Sequence, residues 1–332
     1  MTLPQHLAAD DRLFPTKSFV PVDYSTASKT AVQSYWDANT CNTKWNFPGV
    51  EKGTKRYYEA TKMRKYEIEP HIPKFADFES WRGKKVLEVG GGFCTTALDF
   101  ALHGAILTVV DMSPKSLELC RQRFIAYDPK FNNSVRFVVG DAERLSTILS
   151  DDVGTYDLVW SFGVIHHSPE PQKSMNEFAQ LVKPGGAVKI MVYALVSYKL
   201  FWVQNATKQY DMSQARTLLG HYSEAVPGSP CSHTYTLRQV RSLPPPPPKH
   251  RPPFHSSDAF VQAANLATDS GKNGLVLQSP PRKHHIFRYD LNHYAQGRLI
   301  FEDTWAKLSP LEFDEIEEEL GWHICFTAIR SQ

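Results

Sequence analysis

Residues 86–96, VLEVGGGFCTT, carry the pattern around which the rest of the chain is organised. The first four of them, 86–89, form a short and mainly apolar run that is typical of a buried strand in a parallel sheet. Gly90, Gly91 and Gly92 end this run, and the two threonines after them can cap a helix. Such a unit is suited to ligand binding, because glycines admit a ligand close to the backbone and a helix N-terminus attracts a negative group.

The glycine loop alone leaves the kind of ligand open. A dinucleotide loop reads G-x-G-x-x-G, and Gly90 and Gly92 fit it, but Thr95 stands where the third glycine should be. A glycine-rich turn that binds no ligand is another interpretation of the same residues. The acidic residues further along the chain discriminate between these possibilities.

Two aspartates follow the next two predicted strands. Asp111 ends the apolar run 105–110, and Asp141 follows the strand predicted over residues 135–139. A carboxylate at the end of the second strand can accept both hydroxyls of a ribose. If a ribose lies at Asp111, we expect Asp141 to face an adenine amino group, although a plain helix N-cap explains Asp141 equally well.

Apolar runs and helical segments alternate through the middle of the chain. Strands are predicted to begin near residues 86, 106, 135, 157 and 187, each followed by a helix or a loop. This alternation is typical of a doubly wound, mostly parallel α/β sheet with right-handed crossovers. Ligands bind beyond the carboxyl ends of such strands, where the glycine loop, Asp111, Asp141 and His166 are predicted to meet.

Three regions are predicted. Residues 1–83 form an N-terminal arm and helical lid, residues 84–195 the ligand-binding core, and residues 196–332 substrate-side helices with a closing helix and strand. Residues 243–282 are expected to be an irregular insertion outside the core. This segment begins with LPPPPPKHRPP, and its polar, proline-rich composition cannot bury much apolar surface. Ser309-Pro310-Leu311-Glu312 predicts a capping box at the start of the closing helix.

Length, charge and cysteine usage argue against several classes of protein. The 332 residues are 42% hydrophobic and carry 37 basic and 35 acidic side chains, so no strong basic field favours nucleic acid or a membrane surface. No signal peptide is visible, and no stretch is long and apolar enough to be inserted in a membrane. Five scattered cysteines without a C-x-x-C pair predict reduced thiols in a cytoplasmic protein, with no disulfide frame and no metal site. These features leave the oligomeric state open.

Six motifs in order resemble those of the class I S-adenosylmethionine-dependent methyltransferases. Between roughly Lys84 and Tyr193 they read Glu88-Val89-Gly90-Gly91-Gly92, Val110-Asp111-Met112-Ser113, Gly140-Asp141-Ala142, Tyr156-Asp157-Leu158-Val159, Gly163-Val164-Ile165-His166-His167 and Leu181-Val182-Lys183-Pro184-Gly185-Gly186. The resemblance implies a Rossmann-like, seven-stranded sheet whose last strand, predicted over Trp322 to Ile329, runs antiparallel. It also implies S-adenosyl-L-methionine as the cofactor and a small molecule as the methyl acceptor.

The resemblance also assigns residues to the cofactor. Gly90 and Gly92 would hold its methionine part, Asp111 its ribose and Asp141 its adenine, while Ser161 lies where the fourth strand meets it. The full set of cofactor residues that we predict is Glu88, Gly90, Gly91, Gly92, Asp111, Met112, Asp141, Ala142 and Ser161.

Cys94 departs from the family's loop, which has a glycine at this position. A cysteine at a positive φ costs about 1 kcal/mol or more relative to glycine. We therefore expect residue 94 to lie at the start of the helix, where a small side chain suffices. A helix N-terminus favours a thiolate and allows a redox role, but packing is the expected role of such a cysteine.

His166 and His167 follow the fourth strand, close to the expected position of the transferred methyl group. A neutral imidazole there can be a general base if the acceptor is a hydroxyl or a phenol. Alternatively, one of the pair holds the loop by hydrogen bonds and neither contacts the acceptor. Other candidates for the pocket are Tyr35, Trp36, Tyr58, His71, Tyr193 and Tyr198.

The predicted function is methyl transfer from S-adenosyl-L-methionine to an O, N or S atom of a small molecule, such as one of secondary metabolism. Two alternatives remain open. One is a non-catalytic binding or regulatory protein that has kept the fold, since fold alone does not determine function. The other is a nicotinamide-dependent oxidoreductase, which Thr95 in the glycine loop opposes.

Overall fold

The computed structural model describes residues 22–224, 227–241, 274–285 and 309–332. A central sheet of eight strands organises these ranges. The strands are β1 Lys85–Val89, β2 Ile106–Asp111, β3 Arg136–Val139, β4 Tyr156–Phe162, β5 Val182–Tyr193, β6 Leu275–Leu277, β7 Arg282–His284 and β8 His323–Arg330.

The strand order confirms the doubly wound fold. It runs β3-β2-β1-β4-β5-β8-β6, and β7 also pairs with β8. Strands β1 to β5 are parallel, whereas β8 runs antiparallel to β5, from Ala187 opposite Ile329 to Tyr193 opposite His323. The sheet has eight strands where seven were predicted, because the short strands β6 and β7 pair with opposite ends of β8.

Helices flank the sheet and connect its strands. They are α1 Lys29–Ala38, α2 Lys55–Ile68, α3 His71–Ala76, α4 Thr95–Leu102, α5 Pro114–Tyr127, α6 Phe131–Ser134, α7 Leu145–Ile148, α8 Pro171–Leu181, α9 Tyr198–Thr207, α10 Ala215–Tyr222, α11 Leu237–Arg241 and α12 Pro310–Leu320. Short 3-10 helices span Phe78–Trp81, Ala142–Arg144, Ser150–Asp152, Ile165–His167 and Met212–Gln214. The capping box predicted at Ser309 and Glu312 is present at the start of α12. None of the helices in the described ranges has the length and hydrophobicity of a membrane-spanning segment.

Apolar side chains cover both faces of the sheet. Val86 lies in one buried cluster with Phe100 of α4, and Leu87 lies in another with Phe178 of α8. Neighbouring residues of a strand fall in different clusters because successive side chains point to opposite faces. Burial on both faces is what a parallel sheet covered by helices requires, and it leaves the strand ends free to build a site.

Helix α1 lies over the carboxyl ends of β2 and β3. Gln33 donates a hydrogen bond to the carbonyl oxygen of Met112 over 2.8 Å, and Asp37 accepts one from the hydroxyl of Ser113. Just after the helix, the hydroxyls of Thr40 and Ser116 are 3.1 Å apart. The residues predicted to form a lid thus contact the edge at which the ligand is expected, and their action as a lid remains a proposal.

The structure moves one boundary of the predicted insertion. Residues 275–277 form β6, which pairs with residues 328–330 of β8, and Leu275 is fully buried. These residues belong to the sheet because the Leu-Val-Leu sequence supplies apolar side chains to its edge. Residues 243–273 of the predicted insertion lie outside the described residues.

Candidate active site

A cavity of about 1220 Å³ opens at the carboxyl ends of β1, β2 and β4. Its walls include the glycine loop, Asp111 and Asp141 as well as Tyr193 and Glu224. Cavities that hold one drug-sized ligand usually have volumes of about 300–1,000 Å³. This cavity is therefore large enough for two small molecules side by side.

The glycine loop follows β1, and close packing requires glycine at two of its positions. A Cβ atom on Gly90 would lie 2.2 Å from Cγ2 of Val164, and one on Gly91 would lie 2.6 Å from a valine of β2. Gly92 has a φ of 54° and faces open space. Its N–H group donates a hydrogen bond to Oδ2 of Asp111 over 2.9 Å. A ligand can therefore approach the backbone closely at Gly92.

Cys94 forms a disulfide with Cys120, which corrects the prediction that the cysteines are unpaired thiols. Both lie in the apolar cluster beneath α4 and α5, which brings their Cα atoms to 5.2 Å although they are 26 residues apart. Cys94 does lie at the start of α4, but with a φ of 52°, in the left-handed region that the sequence analysis did not expect. A cross-link and an unfavourable backbone conformation thus coincide at the end of the glycine loop.

Buried Arg123 of α5 supports the same part of the loop. Its Nη1 donates hydrogen bonds to the carbonyl oxygen of Phe93 over 3.0 Å and to the hydroxyl of Thr95 over 2.9 Å. Its Nη2 donates to the carbonyl oxygen of Tyr58 over 3.1 Å. Helix α5 therefore holds residues 93–95 through a disulfide and through a charged hydrogen-bond network.

Glu88 lies at the end of β1 and lines the cavity. Its Oε1 accepts a hydrogen bond from the hydroxyl of Thr96 over 2.7 Å, whereas Oε2 is buried with no hydrogen-bond partner among the described residues. Burial raises the pKa of Glu88 to about 8. A buried oxygen without a partner on a cavity wall is suited to bind a polar group of a ligand.

Asp111 ends β2 and faces the glycine loop. Besides the N–H group of Gly92, it accepts the N–H group of Ser113 over 2.8 Å through Oδ1. Burial raises the pKa of Asp111, and these two backbone hydrogen bonds act in the opposite direction. Met112 also lines the cavity, directly beneath α1. Asp111, which is predicted to bind the ribose, thus contacts the glycine loop and the start of α5 at the wall of the cavity.

Asp141 follows β3, and both of its oxygens are engaged. Oδ1 accepts the N–H group of Glu143 over 3.0 Å, so the helix N-cap considered from the sequence is realised. Oδ2 forms an ion pair with Lys29 of α1, whose Nζ also lies 2.6 Å from Glu143. Asp141 and Ala142 both line the cavity. Lys29 therefore closes the side of the cavity at which an adenine is expected.

Two predicted site residues lie in the core. Ser161 of β4 and His166 are both fully buried, and neither is among the described residues that line the cavity. The ring of His166 packs 3.8 Å from the ring of Tyr193, measured between centroids, and its backbone carbonyl accepts the N–H group of His233 over 2.7 Å. The side chain of His166 is therefore buried against Tyr193 and is not exposed to the cavity.

His167 does line the cavity, beside two residues with which it forms a cluster. Its Nδ1 lies 2.8 Å from the carbonyl oxygen of Cys231, and its Nε2 lies 3.2 Å from Oε1 of Glu224. The hydroxyl of Tyr193 donates a hydrogen bond to the same Oε1 over 2.7 Å. Burial alone would raise the pKa of Glu224, but His167, the Tyr193 hydroxyl and Lys199 together lower it. A carboxylate is therefore held at the wall of the cavity.

Aromatic side chains surround this cluster. The rings of Tyr193 and Trp322 stack with centroids 4.3 Å apart, and Trp36 of α1 contacts the ring of His167 at 4.8 Å. His323, at the start of β8, lines the cavity as well, and its Nδ1 lies 3.3 Å from Nε2 of His71. Further aromatic residues on the wall are Tyr35, Trp45, Phe162, Trp202 and Tyr222. Aromatic rings thus make up much of the wall in this half of the cavity.

The sequence analysis missed several charged residues on the cavity wall, among them Glu224 and Lys29. Glu224 is 57 residues from His167 in a polar segment without a motif, and Lys29 is one of many lysines in the N-terminal region. Of the six further pocket candidates, Tyr35, Trp36 and Tyr193 line the cavity, whereas Tyr58, His71 and Tyr198 are not on the wall that the structure describes. Within the described ranges, no group of His, Cys, Asp and Glu side chains has the arrangement of a metal site.

Comparisons with known proteins bear on the same part of the chain. A family model described as a methyltransferase domain matches residues 87–188. A ubiquinone biosynthesis O-methyltransferase from Coxiella burnetii is 36% identical over 107 residues, which are 32% of this chain and 42% of the relative. One from Vibrio atlanticus is 33% identical over 106 residues, with the same coverage of both chains. This chain thus spans less than half the length of the curated relatives that it matches.

Among solved structures, the magnesium protoporphyrin IX methyltransferase from Synechocystis PCC 6803 with bound SAH is 13% identical, with a TM-score of 0.47 over 92% of this chain and 100% of the other. The sheet order, the glycine loop after β1 and the match over residues 87–188 rest on independent observations. Together they show that this chain contains a methyltransferase domain of the class I S-adenosylmethionine-dependent family.

Proposed function

We propose that this protein transfers a methyl group from S-adenosyl-L-methionine to an oxygen, nitrogen or sulfur atom of a small molecule. The observation that carries the proposal is the continuity of the cavity. The glycine loop and the acidic residues near it line one end of this cavity. The aromatic residues, Glu224 and His167 line the other end of the same cavity. A cofactor and an acceptor can therefore meet in it, as direct transfer requires.

The residues of the cofactor side fit S-adenosyl-L-methionine. Gly92 offers an open approach to the backbone, and Glu88 places a buried oxygen without a described partner on the wall. Asp111 and Asp141 supply carboxylates after β2 and β3, where a nucleoside would be held. When bound, the cofactor supplies an electrophilic methyl group on a sulfonium. We propose Glu88, Gly90 to Gly92, Asp111, Met112, Asp141 and Ala142 as its binding residues.

The chain's own contribution is to align the acceptor and to exclude water. Helix α1 contacts the strand ends through Lys29 and Gln33, and its Trp36 reaches the ring of His167. These contacts cover the cavity from the cofactor side to the acceptor side. Restricting the acceptor to one orientation beside the methyl group removes much of the entropic barrier to a displacement reaction.

The relatives' names favour an oxygen atom as the methylated position, and the cluster around Glu224 supports this choice. A small acceptor, rather than nucleic acid, agrees with the formal charge of +2. The cytoplasmic location expected from the sequence is opposed by the Cys94–Cys120 disulfide, because disulfides are rare in reducing compartments.

Calorimetry and a transfer assay test the proposed function. We expect the purified protein to bind S-adenosyl-L-methionine and its demethylated product, and not NAD, which separates it from an oxidoreductase. Incubation with methyl-labelled cofactor and a panel of phenols, amines and thiols should label at least one acceptor. Tight cofactor binding without transfer to any acceptor in the panel or in fractionated cell extract would favour a non-catalytic binding protein instead.

A further inference from the structure

We propose that Glu224 is the catalytic residue that accepts the proton of the methyl acceptor, that His167 and Tyr193 are positioning residues for Glu224, and that the acceptor is a phenol. This inference rests on the function proposed above and assigns the chemistry of the acceptor half of the same cavity. It departs from the sequence-based prediction, in which the histidine pair supplied the general base.

The contacts of His167 leave it poorly placed to take a proton from the acceptor. A carbonyl oxygen can only accept, so the Nδ1 atom that lies 2.8 Å from the carbonyl of Cys231 carries a hydrogen atom. The other nitrogen, Nε2, is buried and lies 3.2 Å from Oε1 of Glu224, with no hydrogen bond between them. Nδ1 is therefore occupied and Nε2 is not exposed to an acceptor, whereas Glu224 lines the cavity.

The contacts of Glu224 leave one oxygen for the acceptor. Both His167 and Tyr193 approach Oε1, at 3.2 Å and 2.7 Å. The side chain is only 13% exposed and lines the cavity. Among the contacts described for this residue, Oε2 is the oxygen that an acceptor hydroxyl can reach. The hydrogen bond from Tyr193 orients the carboxylate, as a positioned general base requires.

Charged and titratable groups from several elements face Glu224. His167 follows β4, Tyr193 ends β5, Lys199 lies on α9, Tyr35 lies on α1 and Cys41 follows α1. Burial lowers the pKa of Lys199, and the charge of Glu224 opposes this effect. Burial raises the pKa of Tyr35, and the charge of Glu224 adds to that rise. Glu224 is thus the negative centre of the acceptor half.

The walls and the charges together favour a phenol over an amine. The rings of Tyr193, Trp322 and Trp36 lie on the cavity wall, where they suit an aromatic molecule that can pack against them. A carboxylate alone would also attract an ammonium group. Lys199 lines the same cavity, and although burial lowers its pKa, its charged form disfavours a cationic acceptor and stabilises an oxygen that becomes negative.

The proposed step balances without a further reactant. The O–H bond of the phenol breaks, and its proton goes to Oε2 of Glu224 and later to solvent. An O–CH₃ bond forms while the CH₃–S bond breaks, and the electron pair of that bond stays on the sulfur. Glu224 holds the phenol protonated by a hydrogen bond in the ground state and removes the proton only as the new bond forms.

A chromogenic phenol tests this hydrogen bond without turnover. The probe is 4-nitrophenol, added to protein saturated with S-adenosylhomocysteine, and its visible band reports the fraction that is ionised as pH is raised. A phenol that donates to a carboxylate loses its proton at a higher pH. We therefore expect the bound probe to ionise at a distinctly lower pH in Glu224→Gln than in the wild type. Glu170→Gln, at a half-buried position outside the cavity, is the matched control and should leave the midpoint unchanged.

A second readout tests the positioning role. In nitrogen NMR, the chemical shift of His167 Nε2 should change in Glu224→Gln and should stay nearly the same in Glu170→Gln. With whichever phenol accepts label from the wild type, Glu224→Gln should lose about 100- to 10,000-fold in rate and recover towards high pH, where the phenol ionises unaided. Unchanged affinity for S-adenosylhomocysteine shows that the variant is folded.

The failures of the two proposals are distinguishable. A wild-type protein that does not bind S-adenosyl-L-methionine, or that transfers no methyl group, contradicts the proposed function. A wild-type protein that passes both tests overturns the present inference if the nitrophenol does not bind, if its midpoint is the same in Glu224→Gln, or if only amines or thiols become labelled.

Discussion

Cys94 and Cys120 join the end of the glycine loop to helix α5 by a disulfide. Cys94 adopts a φ of 52°, a conformation that costs a non-glycine residue about 1–2 kcal/mol. The cross-link holds the residue in this conformation together with the hydrogen bonds of Arg123 to its neighbours. A cysteine can therefore occupy a position at which related loops have a glycine, provided that it remains tied to α5.

Loss of the disulfide is expected to weaken cofactor binding. In Cys120→Ala, residue 94 is free to leave the left-handed region, so only a fraction of the molecules has the binding-competent loop. A cost of 1–2 kcal/mol corresponds to a loss in affinity of about five- to thirtyfold, measured by calorimetry with S-adenosylhomocysteine. The double variant Cys94→Gly/Cys120→Ala is the control. It should recover most of the affinity, because glycine adopts this φ without penalty; continued weakness would show that the cross-link acts in another way.

The carboxylate of Asp111 is expected to contribute to cofactor affinity both directly and through the loop. Asp111→Ala removes an acceptor for ligand hydroxyls and also the contact with the N–H group of Gly92. We expect a loss of about 1.5–3 kcal/mol, or roughly ten- to hundredfold in affinity. Asp157→Ala is a matched control, since Asp157 accepts a backbone N–H group from Lys85 at the opposite end of the strands. Equal affinity losses in the two variants would contradict a specific role for Asp111.

Glu88 is expected to make the protein less stable at alkaline pH. Its pKa in the folded protein is about 8, above the ordinary value of 4.5, because the carboxyl group is buried. Between pH 4.5 and pH 8, the folded state therefore holds a proton that the unfolded chain has released. The stability that this proton provides is complete below pH 4.5 and is lost as the pH rises to 8. Glu88→Gln keeps the shape without the titration. It should gain up to about 4 kcal/mol relative to the wild type between pH 5 and pH 9, measured by urea unfolding. Parallel pH curves for the two proteins would contradict the raised pKa.

Lys29 is expected to stabilise the folded protein by balancing a buried carboxylate. The Glu143 side chain is only 2% exposed and lies 2.6 Å from Nζ of Lys29. Burial opposes the charge of Lys29, but the carboxylates of Asp141 and Glu143 outweigh this effect and raise its pKa. Because Lys29 itself is 38% exposed, we expect Lys29→Met to cost only about 1–2 kcal/mol of the free energy of unfolding. Lys173→Met, which breaks a more exposed pair with Glu170, should cost less, and equal losses would argue against a special role.

The sequence was most informative where local order determines structure. A strand, a glycine loop and a helix placed Glu88 and Gly92 on the cavity wall, because each lies within a few residues of the turn that orients it. Asp111 and Asp141 follow from the same rule, since parallel strands carry their last residues to one edge of the sheet. The antiparallel closing strand was also predictable, from its apolar run after a capped helix.

Contacts between distant segments could not be predicted in the same way. Which histidine of the pair 166–167 faces the cavity depends on the turn after β4 and on the packing of one ring against Tyr193. Glu224 acquires its role only because the chain returns to His167 after 57 residues. The disulfide depends on the packing of α4 against α5, and neither cysteine belongs to a recognisable pair motif.

The burial of His166 leads to a last prediction, which concerns the stability of the folded protein in acid. Its ring is fully buried, and burial lowers its pKa well below the ordinary value of 6.5, with the neighbouring His167 and His233 acting in the same direction. The folded state therefore keeps the ring neutral while the unfolded chain binds a proton. The contribution of His166 to stability is present above pH 6.5 and is lost as the pH falls below that value.

His166→Phe removes this titration and keeps an aromatic ring beside Tyr193. Between pH 6.5 and pH 5, the free energy of unfolding should fall less steeply in the variant than in the wild type. The two slopes should differ by up to about 1.4 kcal/mol per pH unit, which is the effect of one proton. Urea unfolding at several pH values gives this slope, and His221→Phe, at an exposed position, controls for the loss of a histidine from the chain. If His166 instead faced the acceptor with an ordinary pKa, the slopes of wild type and His166→Phe would coincide, and the variant would lose turnover without changing its stability in acid.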